Sequence, residues 1–154
     1  MIPTELFYQC SSLTTITIPS SVTSIGKSTF YQCNCLECIT IPSSVISVGS
    51  SALGYCTGEL VIDSYTLIGE DWNSANYPSR VNEWMMANSF TSITIGNSVT
   101  SIGEYIFAYC KSLKSVTIGN KVTSIGRDAF YKCDSLETVY CKPTTPPTLY
   151  YNYA

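Results

Sequence analysis

Cysteine is the residue type best suited to chemistry here, because the 154-residue chain contains eight cysteines and no histidine. Three cysteines are closely spaced as Cys33-x-Cys35-x-x-Cys38, and thiolates at such spacing can bind zinc. A structural zinc site needs four ligands, however, and the sequence nearby supplies neither a fourth cysteine nor a histidine. We therefore predict no metal site and no cofactor.

Carboxylates are the second candidates for chemistry. The segment 59–89 carries five of the eleven acidic residues, among them Glu70, Asp71 and Glu83. A pair of carboxylates is the machinery of glycoside hydrolysis. Nothing in the sequence fixes the separation of these carboxylates or forms a cleft around them, and histidine, the commonest general base, is absent. The sequence therefore favours a protein that is not an enzyme.

Composition limits the partners that the chain can have. Hydrophobic residues make up 45% and charged residues only 12%, which predicts a folded core rather than disorder. The net charge of −3 offers no basic face to a nucleic acid. No apolar run approaches the ~18 residues needed for a membrane span. Residues 1–10 lack the basic and apolar regions of a signal peptide.

A repeat of 23 residues organises the chain and must position its side chains. We interpret residues 1–154 as a single domain. It consists of four regular copies, two partial coils, a degenerate insertion and a tail rich in Pro and Tyr. The regular copies are 13–35, 36–58, 90–112 and 113–135. The partial coils are 5–12 and 136–142, the insertion is 59–89, and the tail is 143–154.

The pattern within each copy predicts the fold class. Counting from the first residue of a copy, apolar residues stand at positions 1, 4 and 6 and again at 10 and 13, which indicates a strand followed by a second short extended segment. Position 14 is always glycine, typical of positive φ or of close backbone approach. Units this short cannot each close a core, so we predict a solenoid whose coils pair their strands in parallel.

Stacking the copies places equivalent side chains next to each other. Position 21 is always cysteine, and because free cysteine behaves as a small buried hydrophobe, we predict a reduced core ladder of Cys10, Cys33, Cys56, Cys110 and Cys133. Position 5 is always threonine, which predicts an exposed hydroxyl row of Thr17, Thr40, Thr94 and Thr117. The same counting assigns Cys141 to the core and Cys38 to an outward position.

The string L-x-x-I-x-I-P-x-x-V-x-x-I-G-x-x-A-F-x-x-C resembles the leucine-rich repeat of the BspA-like (Treponema-type) bacterial class over nearly the whole chain. The resemblance implies a leucine-rich-repeat solenoid, a right-handed β-rich superhelix formally classed as α/β, with a parallel β-sheet on its concave face. It also implies a cell-surface or secreted protein engaged in adhesion to host matrix proteins or other cells. It carries over no catalytic residue.

Two surfaces are candidates for binding. One is the threonine row. The other is the insertion, where Trp and Tyr, the usual anchors of binding hot spots, occur beside acidic residues: Trp72, Tyr77, Trp84, Glu70 and Asp71. With the resemblance, these favour a non-catalytic module for a protein or glycan ligand. The alternative is a structural spacer or a stalk that self-associates through uncapped solenoid ends, and the regularity of the hydroxyl rows favours this second interpretation.

Overall fold

A computed structural model describes residues 1–64 and 89–149. These residues form a parallel β-solenoid of about five turns, and all of their helix- or strand-type structure is β-strand. The strands are β1 (Thr15–Ile16), β2 (Ser24–Ile25), β3 (Cys38–Ile41), β4 (Ser47–Val48), β5 (Glu59–Ile62), β6 (Ser92–Ile95), β7 (Ser101–Ile102), β8 (Ser115–Ile118), β9 (Ser124–Ile125), β10 (Thr138–Cys141) and β11 (Thr148–Leu149).

The main sheet has six parallel strands in the order β1-β3-β5-β6-β8-β10. Its register joins equivalent repeat positions, since Ile39 pairs with Ile16 on one side and with Leu60 on the other. Successive side chains of a strand point to opposite sides of the sheet. In β3 the side chains of Ile39 and Ile41 are therefore fully buried, while that of Thr40 is exposed. The first strand predicted in each copy is confirmed: it spans positions 3 to 6 in three of the regular copies and positions 3 and 4 in the copy 13–35.

The second extended segment of each copy forms smaller sheets on another side of the coil. β2 pairs with β4 through Ser24 and Ser47, and β7, β9 and β11 form a three-stranded sheet. In that sheet Ser124 pairs with Ser101 and with Thr148. The coil therefore closes around an interior between the two sets of strands, and the residues at positions 10 and 13 face that interior.

Stacked side chains of equal position fill this interior. The largest fully buried side chains are Phe30, Phe90, Phe107, Leu36, Ile39, Ile41, Leu53, Leu60, Ile62 and Ile93. Rings from successive coils lie parallel, with centroids 5.3 Å apart for Phe7 and Phe30 and for Phe107 and Phe130. Because each coil contacts only its neighbours, the core is continuous along the solenoid, and no coil has a core of its own.

The recurrent glycine at position 14 is required by close approach of the backbones. A Cβ built on Gly49 would lie 2.5 Å from the backbone nitrogen of Lys27, and one on Gly126 would lie 2.6 Å from that of Glu104. Such distances are incompatible with any side chain, because the neighbouring atoms are backbone and cannot move aside. Of the two reasons proposed from the sequence, the contact between coils is the one that applies.

A tight corner follows each glycine and spans positions 15 to 21 of a copy, which are residues 127–133 in the last regular copy. Positions 16 and 20 adopt positive φ without being glycine. They are Glu5, Gln9, Ser28, Gln32, Ser51, Tyr55, Tyr105, Tyr109, Asp128 and Lys132, with φ between 51° and 63°. Left-handed backbone at non-glycine residues costs energy, and the corner offsets that cost by donating hydrogen bonds to the next coil, such as Phe107 N to Ala129 O at 2.8 Å.

The insertion begins inside the solenoid. β5 opens the insertion, and it pairs with β3 on one side and with β6 on the other. The main sheet therefore continues directly from residues 59–62 to residues 92–95. No helix in the part of the chain that the structure describes is long and apolar enough to cross a membrane.

Both ends of the described solenoid expose apolar side chains. Leu6 is 54% exposed at one end, and Val139 and Leu149 are each 52% exposed at the other. The prediction that Cys141 is a core residue is wrong: it pairs with Ile118 in the inward register but is exposed. The repeat pattern assigns the direction of a side chain correctly, whereas burial also requires a following coil, which β10 lacks among the described residues.

Candidate binding face

The predicted threonine row lies on the outer side of the main sheet. Register places Thr40 beside Val61, Val61 beside Thr94, and Thr94 beside Thr117. Thr17 follows β1 immediately and is exposed, as is Thr40, whereas Thr94 and Thr117 are half-buried. The structure thus brings the four threonines to one surface, and Val61 interrupts their row at the irregular copy.

A second row runs parallel to the first, two residues earlier in each strand. Its members are Thr15, Cys38, Glu59, Ser92, Ser115 and Thr138. We call the two rows together the hydroxyl face; Tyr140, which pairs with Thr117, closes the first row. Glu59 is the one charged residue of these rows, and its Oε1 accepts a hydrogen bond of 2.7 Å from Thr94 Oγ1. Glu59 was not among the predicted binding residues, because it lies in the irregular copy.

The hydroxyl face is suited to binding by hydrogen bonds and offers no activated nucleophile. Adjacent strands repeat about every 4.8 Å, so donors and acceptors recur at that spacing across the sheet. Cys38 is the one thiol on the face, and burial together with the charge of Glu59 raises its pKa. A raised pKa keeps the thiol protonated at neutral pH, and a protonated thiol is a poor nucleophile.

The cysteine ladder lies at the opposite end of the corner from the glycine. Cys33, Cys56 and Cys110 are buried, Cys10 and Cys133 in the outer coils are half-buried, and none of the eight cysteines, all of which the structure describes, forms a disulfide. Three thiols of the ladder reach back one coil: the Cys33 thiol donates to Phe7 O, the Cys56 thiol to Phe30 O and the Cys133 thiol to Phe107 O, each at 3.1 Å.

The ladder thiols differ in acidity according to their surroundings. Burial raises the pKa of Cys33 to about 11 and that of Cys56 to about 12. A hydrogen bond from the side chain of Cys110 lowers the pKa of Cys133. Among the described residues, no three Cys, Asp or Glu side chains converge in a way that would hold a metal ion. The ladder therefore acts as packing that also satisfies a carbonyl of the preceding coil.

We expect the thiols to react in two groups with an aromatic disulfide reagent at neutral pH. Cys35 and Cys141 are exposed and should react within the mixing time, because thiol reactivity follows access and thiolate content. The ladder thiols Cys33, Cys56 and Cys110 should react only at the rate at which the solenoid opens. Mass spectrometry of the labelled peptides reports the order of labelling. Rapid labelling of Cys56 in the folded chain would contradict its place in the core.

Tyrosine rings that contact each other across coils lie on the corner, and they were not among the predicted site residues. Tyr8 stacks on Tyr31 with ring centroids 5.3 Å apart, Tyr31 meets Tyr55 edge-on at 5.3 Å, and Tyr109 meets Tyr131 edge-on at 5.5 Å. The recurrence of tyrosine at positions 19 and 20 was visible in the sequence. Because tyrosine occupies position 19 in some copies and position 20 in others, contact between the rings of successive coils was not predicted.

The remaining predicted site residues lie outside the residues that the structure describes. They are Trp72, Tyr77, Trp84, Glu70 and Asp71. Their role in binding stays a prediction, so the hydroxyl face is the candidate site whose geometry is known.

The chain is a repeat protein of the solenoid class. Its coils pair in parallel with constant register, glycine lies where the backbones of successive coils come close, and all coils share one core. The sequence matches the family described as the BspA type leucine rich repeat region, in six copies covering residues 1–70 and 80–150. The chain therefore belongs to the BspA-type leucine-rich repeat family, and the resemblance noted in the sequence is confirmed.

One similar solved structure is the crystal structure of a leucine rich cell surface protein from Faecalibacterium prausnitzii A2-165. The two are 23% identical with a TM-score of 0.49, and the match covers 82% of this chain and 31% of the other. The chain thus spans about a third of the length of that protein. No curated protein matched the chain.

Proposed function

We propose that this chain is a non-catalytic binding module of a bacterial cell-surface or secreted protein, and that it holds a protein segment or a glycan on its hydroxyl face. One observation supports this most strongly: successive strands of the main sheet present two in-register rows of mostly short polar side chains on one open surface, with Val61 as the apolar interruption. Adhesion to host matrix or to other cells is the role that we infer for such a module.

The side chains of the hydroxyl face have hydrogen-bonding capacity to spare. The backbone groups of the inner strands are satisfied by the sheet itself, so outward hydroxyls such as Thr40 and Thr117 do not have to serve neighbouring peptide groups. Glu59 adds one acceptor of full charge near the middle of the sheet, held in place by Thr94. An extended ligand with regularly spaced polar groups fits this arrangement best.

The composition of the face favours recognition over catalysis. Hydrolysis of a glycan requires two carboxyl groups on either side of the scissile bond, and Glu59 stands alone in the two rows. Because the face carries so little charge, we also expect binding to depend weakly on salt, in contrast to binding driven by surface ion pairs.

Arginine substitutions on the face test the proposal. Immobilised matrix proteins and mucin glycans are presented to the wild-type chain and to the variants Thr40→Arg and Thr117→Arg, at two salt concentrations. A long charged side chain there would block approach, and we expect affinity to fall tenfold or more, about 1.4 kcal/mol. Ser47→Arg is the matched control, since Ser47 is an exposed hydroxyl residue of β4, outside the main sheet; it should bind as the wild type does.

The same panel separates the alternatives. A further variant keeps β5 and replaces residues 65–88 by a second copy of residues 98–111, the crossover of a regular copy, because parallel strands such as β5 and β6 need a connection of that length. Binding lost in that variant but retained in both threonine variants would locate the site in the insertion and overturn the proposal. Absence of binding to every ligand would overturn the binding proposal and favour the structural spacer.

A further inference from the structure

The carboxylate of Glu59 has a defined position in the middle of the hydroxyl face. Glu59 belongs to β5 and lies between Cys38 of β3 and Ser92 of β6. Its Oε1 accepts a hydrogen bond of 2.7 Å from Thr94 Oγ1, which holds the side chain against the sheet. Glu59 is half-buried, and its charge lies near enough to the Cys38 thiol to raise the pKa of that group. The negative charge is therefore fixed in place on the face.

This charge has no basic partner in the part of the chain that the structure describes, where the one ion pair joins Arg127 to Asp128. An ionised carboxylate can accept about four hydrogen bonds, and among the described residues Thr94 supplies one. The adjacent coil adds a second acid, since Glu59 N donates to Glu37 O at 2.9 Å. Because a half-buried charge without a countercharge costs free energy, a cationic group of the ligand would be stabilised here.

Away from Glu59 the hydroxyl face is neutral. Apart from Cys38 and Val61, every other residue of its two rows carries a hydroxyl group. Hydroxyl groups both donate and accept hydrogen bonds, so they suit hydroxyl and amide groups of a ligand and not further charges. A ligand that complements the whole face therefore has one cationic group flanked by neutral polar groups.

The spacing of the rows distinguishes a glycan from a peptide. Each row crosses the strands of the main sheet, so its side chains recur about every 4.8 Å. Side chains on one side of an extended peptide recur about every 6.6 Å, and a peptide laid along the rows would fall out of step with them. A hexose ring with its glycosidic oxygen is nearly as long as the spacing between strands, so a chain of hexoses stays in step. Amino sugars are the hexoses that also supply a cationic group.

We propose that the ligand of the hydroxyl face is a chain of β-linked amino sugars, mostly N-acetylated, and that Glu59 binds a free amino group of this chain in its protonated form. The inference rests on the proposed function and narrows the ligand to one class of glycan. The ammonium group donates to Glu59 Oε2 while Oε1 keeps its bond from Thr94, and such charge-assisted hydrogen bonds are stronger than neutral ones. Ser92 and Ser115, next in the same row, face the neutral groups of the adjoining sugars.

Titration calorimetry with defined hexasaccharides tests this proposal, with one sugar for each strand of the main sheet. One probe is the fully N-acetylated hexamer of β-linked glucosamine. The other is the same hexamer with some of its amino groups free, and both are measured in mildly acidic buffer, in which those amino groups are protonated. We expect the wild-type chain to bind the probe with free amino groups at least tenfold more tightly than the acetylated probe.

Two amide substitutions assign the preference to a single residue. Glu59→Gln removes the charge and keeps the carbonyl oxygen that accepts the hydrogen bond from Thr94, so the chain should fold, which circular dichroism checks. This variant should bind both probes equally, with the affinity that the wild type has for the acetylated probe. Glu37→Gln is the matched control, because Glu37 is an exposed acid next to Glu59 but outside the two rows. It should keep the preference to within about twofold.

The outcomes separate this inference from the proposed function. A wild-type chain that binds both probes equally, or a preference that survives Glu59→Gln or disappears in Glu37→Gln, would overturn the role of Glu59. If Thr40→Arg still weakened binding in that case, the hydroxyl face would remain the site. Binding of a lysine-containing peptide without binding of either hexamer would overturn the amino-sugar ligand and leave a protein segment. A chain that binds neither the hexamers nor any ligand of the panel would overturn both proposals.

Discussion

Replacing Phe107 with alanine is expected to lower the free energy of unfolding by about 3–5 kcal/mol, the usual cost of removing a buried phenylalanine. The Phe107 side chain is fully buried, and its ring stacks on that of Phe130 with centroids 5.3 Å apart. The cavity would open between two coils. Because each coil is held only by its neighbours, neither can close the gap without losing its hydrogen bonds to the other.

Tyr109→Ala is the matched control, because Tyr109 belongs to the same corner as Phe107 but is 53% exposed. Its loss should cost less than about 1 kcal/mol, the range of a surface aromatic contact. Urea unfolding followed by circular dichroism, under reducing conditions, gives both values. Equal destabilisation by the two variants would mean that the phenylalanine stack is not the core of this coil.

Gly49→Ala is expected to destabilise the chain by about 2–3 kcal/mol, the upper range for overpacking a close-packed interior. The added Cβ would lie 2.5 Å from the nitrogen and 2.7 Å from the Cα of Lys27. Both atoms are backbone of the preceding coil, so relief requires the two coils to separate. Separation would lengthen hydrogen bonds such as Gly49 N to Ile25 O, now 2.9 Å.

The neighbouring residue provides the control for this substitution. Ser50→Ala removes a side-chain hydroxyl from a half-buried position without adding an atom between the coils, and it should change stability by about 0.5 kcal/mol or less. Thermal or urea unfolding of the two variants gives the change in the free energy of unfolding for each. A Gly49→Ala chain as stable as the wild type would show that the coils are farther apart at this glycine than the structure has them.

The regular part of the fold could be predicted because repetition converts sequence position into spatial position. Once Ile39, Thr40 and Ile41 are recognised as a strand, equal numbering in the next copies dictates the register of the sheet and the side on which each residue lies. The threonine row of the hydroxyl face follows from the same rule. The places of Glu59 and Val61 on this face could not be predicted in the same way, because both residues lie in the copy where the repeat pattern fails.

Other features depend on information that residue types do not carry. The left-handed residues of the corner include Ser28, Tyr55 and Asp128, side chains with no common preference for positive φ. Their place in the corner is what they share, and there the N–H of Ser28 donates to Ser50 O of the next coil at 3.0 Å. The exposure of Cys141 was mispredicted for a related reason, since burial in a solenoid is conferred by the following coil and not by the residue itself.

Amide hydrogen exchange across β5 and β6 tests most directly the central claim that one uninterrupted sheet carries the hydroxyl face. The informative groups are Asp63 N–H, bonded to Ile41 O at 2.9 Å, and Gly96 N–H, bonded to Ile62 O at 2.7 Å. If the sheet is continuous, both amides exchange slowly and with similar protection, because they open only when neighbouring coils separate. A Gly96 amide that exchanges freely while that of Asp63 stays protected would show two separate stacks and would contradict the account.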